Sequence, residues 1–323
     1  MRALIWAVAA GMLMVACAPP FGLGEPSRPA LEQGARNSLS ATKSYEMTGT
    51  YVEGGSSWTI DLQVQHPGAE HVKVNGPVQL EAIVVGGQPY FRGQQFLESY
   101  LGSDAQSQSL VKAAGNAWWK GLAAQPPQLP ELTDGAAFRA FFMGSAVATR
   151  TDHVMVDGVD TVEFTGQRAD VYIAEASPNR LIRIHMNKGV VVDGIGEGDL
   201  HYANYDNDFH IVAPSDVIDF SNLSTLPPLY TVLSVDTSGC SSPCVVSAQL
   251  KNLGGPTGAK APSTVTFTMK DTASNQVLGS CKATVSPDVG FNGIATVGCT
   301  IPNVSGQHNA AVVTATADNP GRA

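Results

Sequence analysis

The sequence is short of charge, short of aromatic rings, and shorter still of positive charge. Charged residues make up 15% and aromatics 7% of its 323 residues. Lys and Arg number 19 against 28 Asp and Glu, giving a net charge of −9. A chain with that balance repels a phosphate backbone on average, which excludes nucleic acid as a partner. No segment beyond the first residues is apolar for the roughly 20 residues that a membrane-crossing helix needs. Catalytic signatures are missing too. The histidines (His66, His71, His153, His185, His201, His210 and His308) form no HExxH or similar ligand pair, and no CxxC occurs. Gly144-Ser145 lacks the flanks of a nucleophile elbow, and Gly194-Ile195-Gly196-Glu197-Gly198 leads into no helix that could cradle a phosphate. Asp206-Asn207-Asp208 lacks the glycine and distal Glu of an EF loop and reads as a polar turn. No catalytic residue, metal or cofactor is therefore expected, and the protein is read as not an enzyme.

Hydrophobic residues, at 43%, are enough for a folded chain, and the length allows about two domains. The 33 glycines and 20 prolines favour many turns and short strands. At the N-terminus Arg2 precedes an uncharged run, Ala3 to Ala16, with the length of a signal-peptide core. It ends in Met14-Val15-Ala16-Cys17, which resembles the lipobox of bacterial lipoproteins. That resemblance implies removal of residues 1–16, a diacylglycerol on the Cys17 thiol, and anchoring at the cell membrane facing the extracytoplasmic side. Residues 17–29, rich in Pro and Gly, then form a flexible tether. The remaining cysteines, Cys240, Cys244, Cys281 and Cys299, are an even set in an exported chain and read as two disulfides. Three pairings are possible, with a four-thiolate zinc site as the rival. The favoured pairing is Cys240–Cys244, flanking the turn Ser241-Ser242-Pro243, with Cys281–Cys299 between apolar strand faces.

Residues 30–220 read as one domain. A short helix is predicted from about Pro29 to Thr42. Trp58, Ile60, Leu62 and Val64 then alternate with Thr59, Asp61, Gln63 and Gln65, the period of a half-buried strand, and Val72 and Val74 continue the pattern. Phe96, Leu97, Tyr100 and Leu101 fall at helical spacing, and Asp134 can cap a helix carrying Phe138, Phe141 and Phe142. In a strand, Trp118 and Trp119 point to opposite faces, one into the core and one outward or toward the second domain. Arg180 and Arg183 share a hairpin as a solvated face or a contact for a lipid headgroup. Strands resume near Thr149. Residues 221–228 are a linker, and 229–323 show only strand periodicity, as in a small β-sandwich.

The stretches Ser44-Tyr45-Glu46-Met47-Thr48-Gly49, Ile83 to Gly93, Ser177 to Ile184 and Tyr205 to Pro214 give residues 30–220 a resemblance to LppX/LprG-type lipoproteins and their LolA/LolB-like relatives. The fold class expected is α+β: a curved antiparallel half-barrel sheet with helices on one face, plus a C-terminal all-β Ig-like (CARDB-like) sandwich. The resemblance implies a cavity for the acyl chains of a lipid or glycolipid. Its candidate lining is Trp58, Ile60, Leu62, Val64, Val72, Val74, Phe96, Leu97, Leu101, Phe138, Phe141 and Phe142, which could equally fill a solid core. The expected function is lipid binding, and transport, by a membrane-anchored envelope protein. The alternative is a structural, interaction or envelope-sensing lipoprotein whose second domain meets an envelope protein or wall partner.

Overall fold

A computed structural model describes residues 24–241, 243–302 and 311–322. Cys17 and the signal segment lie outside the described residues. The fold is α+β and mostly strand, with one large open sheet and few helices. Helix α1 (Arg28–Ser40) begins where the Ser27 hydroxyl accepts the Ala30 N–H, and Pro29 opens its first turn. Its buried stripe is Leu31, Ala35 and Leu39. Gly34 lets the helix approach the Ser177–Asn179 turn so closely that a Cβ there would meet Asn179 at 2.5 Å.

Strands β1 (Ser44–Glu53), β2 (Ser56–Gln65), β3 (Ala69–Asn75), β4 (Gln79–Val85) and β5 (Gln88–Arg92) follow as an antiparallel meander. Helices α2 (Gln94–Leu101) and α3 (Ala105–Ala114) lead to the short strand β6 (Trp118–Lys120). Alternation there puts Trp119 in the core, against Phe91 and Phe96, and leaves Trp118 half-buried under the Arg92 guanidinium. Trp118 thus meets a residue of its own sheet. Two short helices, α4 (Pro130–Thr133) and α5 (Gly135–Phe138), precede β7 (Val147–Val156), β8 (Val159–Gly166), β9 (Ala169–Ala174), β10 (Leu181–Met186), β11 (Val191–Val192), β12 (Ile195–Ala203) and β13 (Val217–Asp219). Asp134 caps α5 by accepting from the Ala136 and Ala137 N–H groups, and a π-helical turn, Arg139–Met143, continues it. The sheet runs β13-β6-β5-β4-β3-β2-β1-β12-β10-β9-β8-β7, with β11 beside β12. Among the described residues, only β13 and β6 pair parallel.

The closing strand implied for Tyr205 to Pro214 does not form. Asp206 and His210 have positive φ, which interrupts an extended backbone, and no strand is formed from 204 to 216, although Phe209 and Ile211 are partly buried. The sheet is completed by β13 instead. The 221–228 segment is also more than a spacer: Leu226 is buried in the same hydrophobic cluster as the large sheet and Leu223 packs against it.

The C-terminal part comprises β14 (Tyr230–Asp236), β15 (Cys244–Asn252), β16 (Thr264–Asp271), β17 (Val277–Thr284), β18 (Ile294–Ile301) and β19 (Ala311–Asp318). They form two three-stranded sheets, β14-β15-β18 and β17-β16-β19. Val246, Ala248 and Leu250 of one sheet and Val265, Phe267 and Met269 of the other share a single buried cluster. Both favoured disulfides are present. Cys281–Cys299 joins β17 to β18, edge strands of different sheets, so it staples the two layers together. Where the two parts meet, buried Asn252 uses both ends of its amide. Its Oδ1 accepts from the Leu229 and Gly254 N–H groups, and its Nδ2 donates to the Gly255 and Val289 carbonyls. Lys112 pairs with Asp318 at 2.8 Å and the Arg322 N–H donates to the Ala113 carbonyl, tying the last strand to α3.

Candidate functional site

Two clefts adjoin each other on the large sheet. The first, about 320 Å³, is lined by Met47, Ile60, Leu80, Phe96, Ile195 and Leu200 among apolar residues, with Tyr51, Glu53 and Asp193 beside them. The second, about 420 Å³, has Leu62, Val72 and Val84 on the sheet side and Glu70, Thr133 and Asp134 as its polar lining. The segment between β6 and α4 borders both, through Pro127, Gln128 and Leu129. We call it the strap.

The sheet side follows from strand alternation. Ile60 lies opposite Gly49 on β1 and Val74 on β3, and Leu62 lies opposite Met47 and Val72. Gly49 is also opposite Leu200 of β12. A Cβ at Gly49 would meet the Asp199 carbonyl oxygen at 2.1 Å, so glycine permits β12 to come this close to β1. Met47 and Leu200 therefore reach the first cleft beside Ile60.

The strap has no regular structure from 124 to 129, and its prolines explain how it can cross apolar ground. Pro126, Pro127 and Pro130 have no N–H to leave unpaired over the sheet. Ala124, Pro126 and Leu129 are buried, while Gln125 and Gln128 face solvent. Its far end is fastened by α4. The Tyr45 hydroxyl donates to the Thr133 carbonyl at 3.1 Å and the Tyr202 hydroxyl to the Leu132 carbonyl at 2.9 Å, satisfying carbonyls at the end of a one-turn helix. The Glu131 N–H donates to Asp193 Oδ2 at 2.9 Å. Burial, foremost, pushes the Tyr45 and Tyr202 hydroxyls far above their ordinary range, so both remain neutral donors.

The polar groups at the clefts are acidic and partly desolvated. Asp193, held at positive φ, has its carboxyl raised to about 7, first by burial and then by its side-chain hydrogen bond with Glu131. Burial also raises Glu70, against the opposing pull of His66. Tyr51 is pushed up to about 12 by burial and then by Glu53. When protonated, the Asp193 carboxyl can donate a hydrogen bond to an ester, a sugar hydroxyl or water. No nucleophile with an adjacent base lines either cleft.

Of the side chains expected to line a pocket, Ile60 and Phe96 border the first cleft and Leu62 and Val72 the second. The others line neither of these two. Val64 and Val74 are buried on the same strands, and Trp58 stacks on Tyr51. Leu97, Phe138 and Phe142 are closely packed interior, Leu101 is packed against it, and Phe141 lies half-buried beneath the Arg168 guanidinium. The part of the sheet under α1, α5 and the π turn is filled. Glu32 of α1 pairs there with Arg28 and with Arg139 of the π turn. The two clefts, by contrast, lie beside the strap. Arg180 and Arg183 pair with Asp206 and Asp199 on the surface.

The sequence did not single out Met47, Leu80, Leu129 or Leu200. The alternation of Tyr45, Met47, Gly49 and Tyr51 was the available signal for Met47. Nothing local identifies the strap, because its position depends on strands far away in sequence. No family model and no curated protein sequence matches the chain.

Proposed function

We propose that the protein is a non-enzymatic envelope lipoprotein. It is anchored through Cys17 on the extracytoplasmic side of the cell membrane, and it holds the acyl chains of a lipid or glycolipid. One observation carries the reading: two adjoining clefts between the large sheet and a proline-rich strap, the first mostly apolar and the second mixed, with Leu62, Val72 and Val84 beside Glu70. Pockets for small apolar ligands are concave, mostly apolar and sparing in polar groups, which suits the first cleft especially. Shielding about ten methylenes at roughly 0.8 kcal/mol each is worth about 8 kcal/mol before the costs of association, enough without any charged contact. The antiparallel order of the large sheet, with helices packed against it, fits a half-open barrel of the LolA/LppX kind. The paired three-stranded sheets fit an Ig-like spacer that would set the clefts at a distance from other envelope components. Native mass spectrometry of the gently purified full chain tests the proposal. Co-purifying lipid, or uptake of a fluorescent fatty acid by stripped protein, supports it. A protein that is empty on isolation and takes up no lipid refutes it.

A second reading, an interaction protein of the envelope, draws on the exposed Leu233, Val245, Val277, Ile294 and Val312 of the C-terminal sheets. Chemical cross-linking in intact cells, compared between the natural chain and Val245→Glu/Ile294→Lys, separates this from lipid carriage. Loss of a cross-linked partner with lipid uptake intact would favour it.

A further inference from the structure

We propose that His153, Asp160 and Glu175 bind a single divalent transition-metal ion, with Zn2+ as the best fit. The three side chains come from separate elements. His153 sits where the β7–β8 register shifts between Thr151 and Val154, Asp160 is on β8, and Glu175 directly follows β9. The Glu175 N–H donates to the Asp160 carbonyl at 3.0 Å, which fixes the two backbones against each other. His153 adopts φ 59°, unusual for a residue other than glycine, and from there its ring faces both carboxylates.

One ligand atom from each residue lies within 4.8 Å of the other two. His153 Nδ1 is 3.3 Å from Asp160 Oδ2 and 2.9 Å from Glu175 Oε2. Donors bonded at about 2.0–2.1 Å in a tetrahedral site sit roughly 3.3 Å apart, so the two spacings from His153 are those of one coordination shell, and the two carboxylate oxygens lie within 4.8 Å of each other. The imidazole nitrogen carries at most one proton, and its hydrogen bond goes to Asp160. Glu175 Oε2 is then left sealed from solvent with no hydrogen-bond donor. An acceptor closed off from solvent and met only by an imidazole that it shares with Asp160 is under-satisfied, and a cation among the three donors would satisfy all of them. Among the described ion pairs, His153 is the sole partner of either carboxylate. A second cluster of His and Asp differs: Asp199, near His185 and His201, is held by Arg183 at 2.7 and 2.9 Å, which disfavours a metal there.

One imidazole and two carboxylates suit a borderline ion such as Zn2+ or Mn2+. Ca2+ needs six to eight oxygen ligands, more than this group supplies. Three protein ligands leave a fourth position for water. The site shares no residue with the clefts, so its test is independent of lipid binding.

The test is calorimetric titration of the full chain, free of a histidine tag and stripped with chelator, with Zn2+, Mn2+ and Ca2+ in parallel. The expected result is one Zn2+ per chain with a Kd of about 10 µM or tighter, and weaker or no Ca2+ uptake. His153→Ala and Glu175→Gln should each weaken Zn2+ at least tenfold while circular dichroism shows an unchanged fold, and His201→Ala should bind as the natural chain does. Glu175→Gln keeps the side-chain shape and guards against a variant that fails to fold. Absence of stoichiometric uptake would overturn the proposal and leave a proton on His153 as the balancing cation. So would uptake unaffected by the two folded variants, or uptake lost in His201→Ala.

Discussion

Obstructing the second cleft is the sharpest check on the lipid reading. Leu62 is buried on β2, opposite Met47 and Val72, and lines the 420 Å³ cleft. In Leu62→Trp the indole has open space ahead of it, and it would occupy room otherwise available to an acyl chain. Excluding two or three methylenes at about 0.8 kcal/mol each removes about 2 kcal/mol of binding, roughly 30-fold in Kd. Val84→Trp attacks the same cleft from the less buried β4 and serves if the first variant folds poorly. The assay is titration of a fluorescent fatty acid into stripped full chain, with thermal melting as the folding control. Val245→Trp, on an exposed position of the C-terminal sheets, should leave affinity unchanged. If both cleft variants fold and bind the probe as tightly as the natural chain, this cleft does not hold the acyl chain, and the reasoning from its geometry fails.

Further outcomes follow from other parts of the structure. Replacing Cys281 and Cys299 with serine opens a link between residues 18 apart in sequence and should destabilise the C-terminal sheets by about 3 kcal/mol in urea unfolding. Asn252→Ala leaves two N–H groups and two carbonyls unpaired at a fully buried position, and should cost about 3 kcal/mol, read as a lowered denaturation midpoint. The Asp193 carboxyl, raised to about 7 in the folded state, is an acid that holds its proton longer folded than unfolded. Its contribution is therefore present at low pH and lost as pH rises from about 4 through about 7. Discounted for its solvent exposure, that amounts to about 1–2 kcal/mol. The natural chain should lose this much more stability than Asp193→Asn between pH 5 and pH 8, measured by denaturant titration at each pH.

Much of the secondary structure was legible because its causes are local. The alternation from Trp58 to Val64, the Asp134 cap and the opposed faces of Trp118 and Trp119 each depend on a few neighbouring residues, and each appears in the structure. The stretch from Tyr205 to Pro214 was misleading because its strand was implied by resemblance to a family, and in this fold the positive φ of Asp206 and His210 interrupts it. The candidate site was legible only in part. Apolar alternation marks which side chains leave water, but not whether they meet other side chains or empty space. Phe138 and Ile60 look alike to that criterion, yet one is packed under α1 and the other borders a cleft.

What the sequence determined by itself is what short-range chemistry decides: strand faces, helix starts, a shortage of cationic charge, and cysteines numerous enough for two bridges. Tertiary structure alone decided where the strap crosses the sheet, which half of that sheet is filled, and how His153, Asp160 and Glu175 converge from separate elements. Those outcomes depend on the close packing of segments distant in sequence, and packing distances cannot be read from the order of residues along one segment.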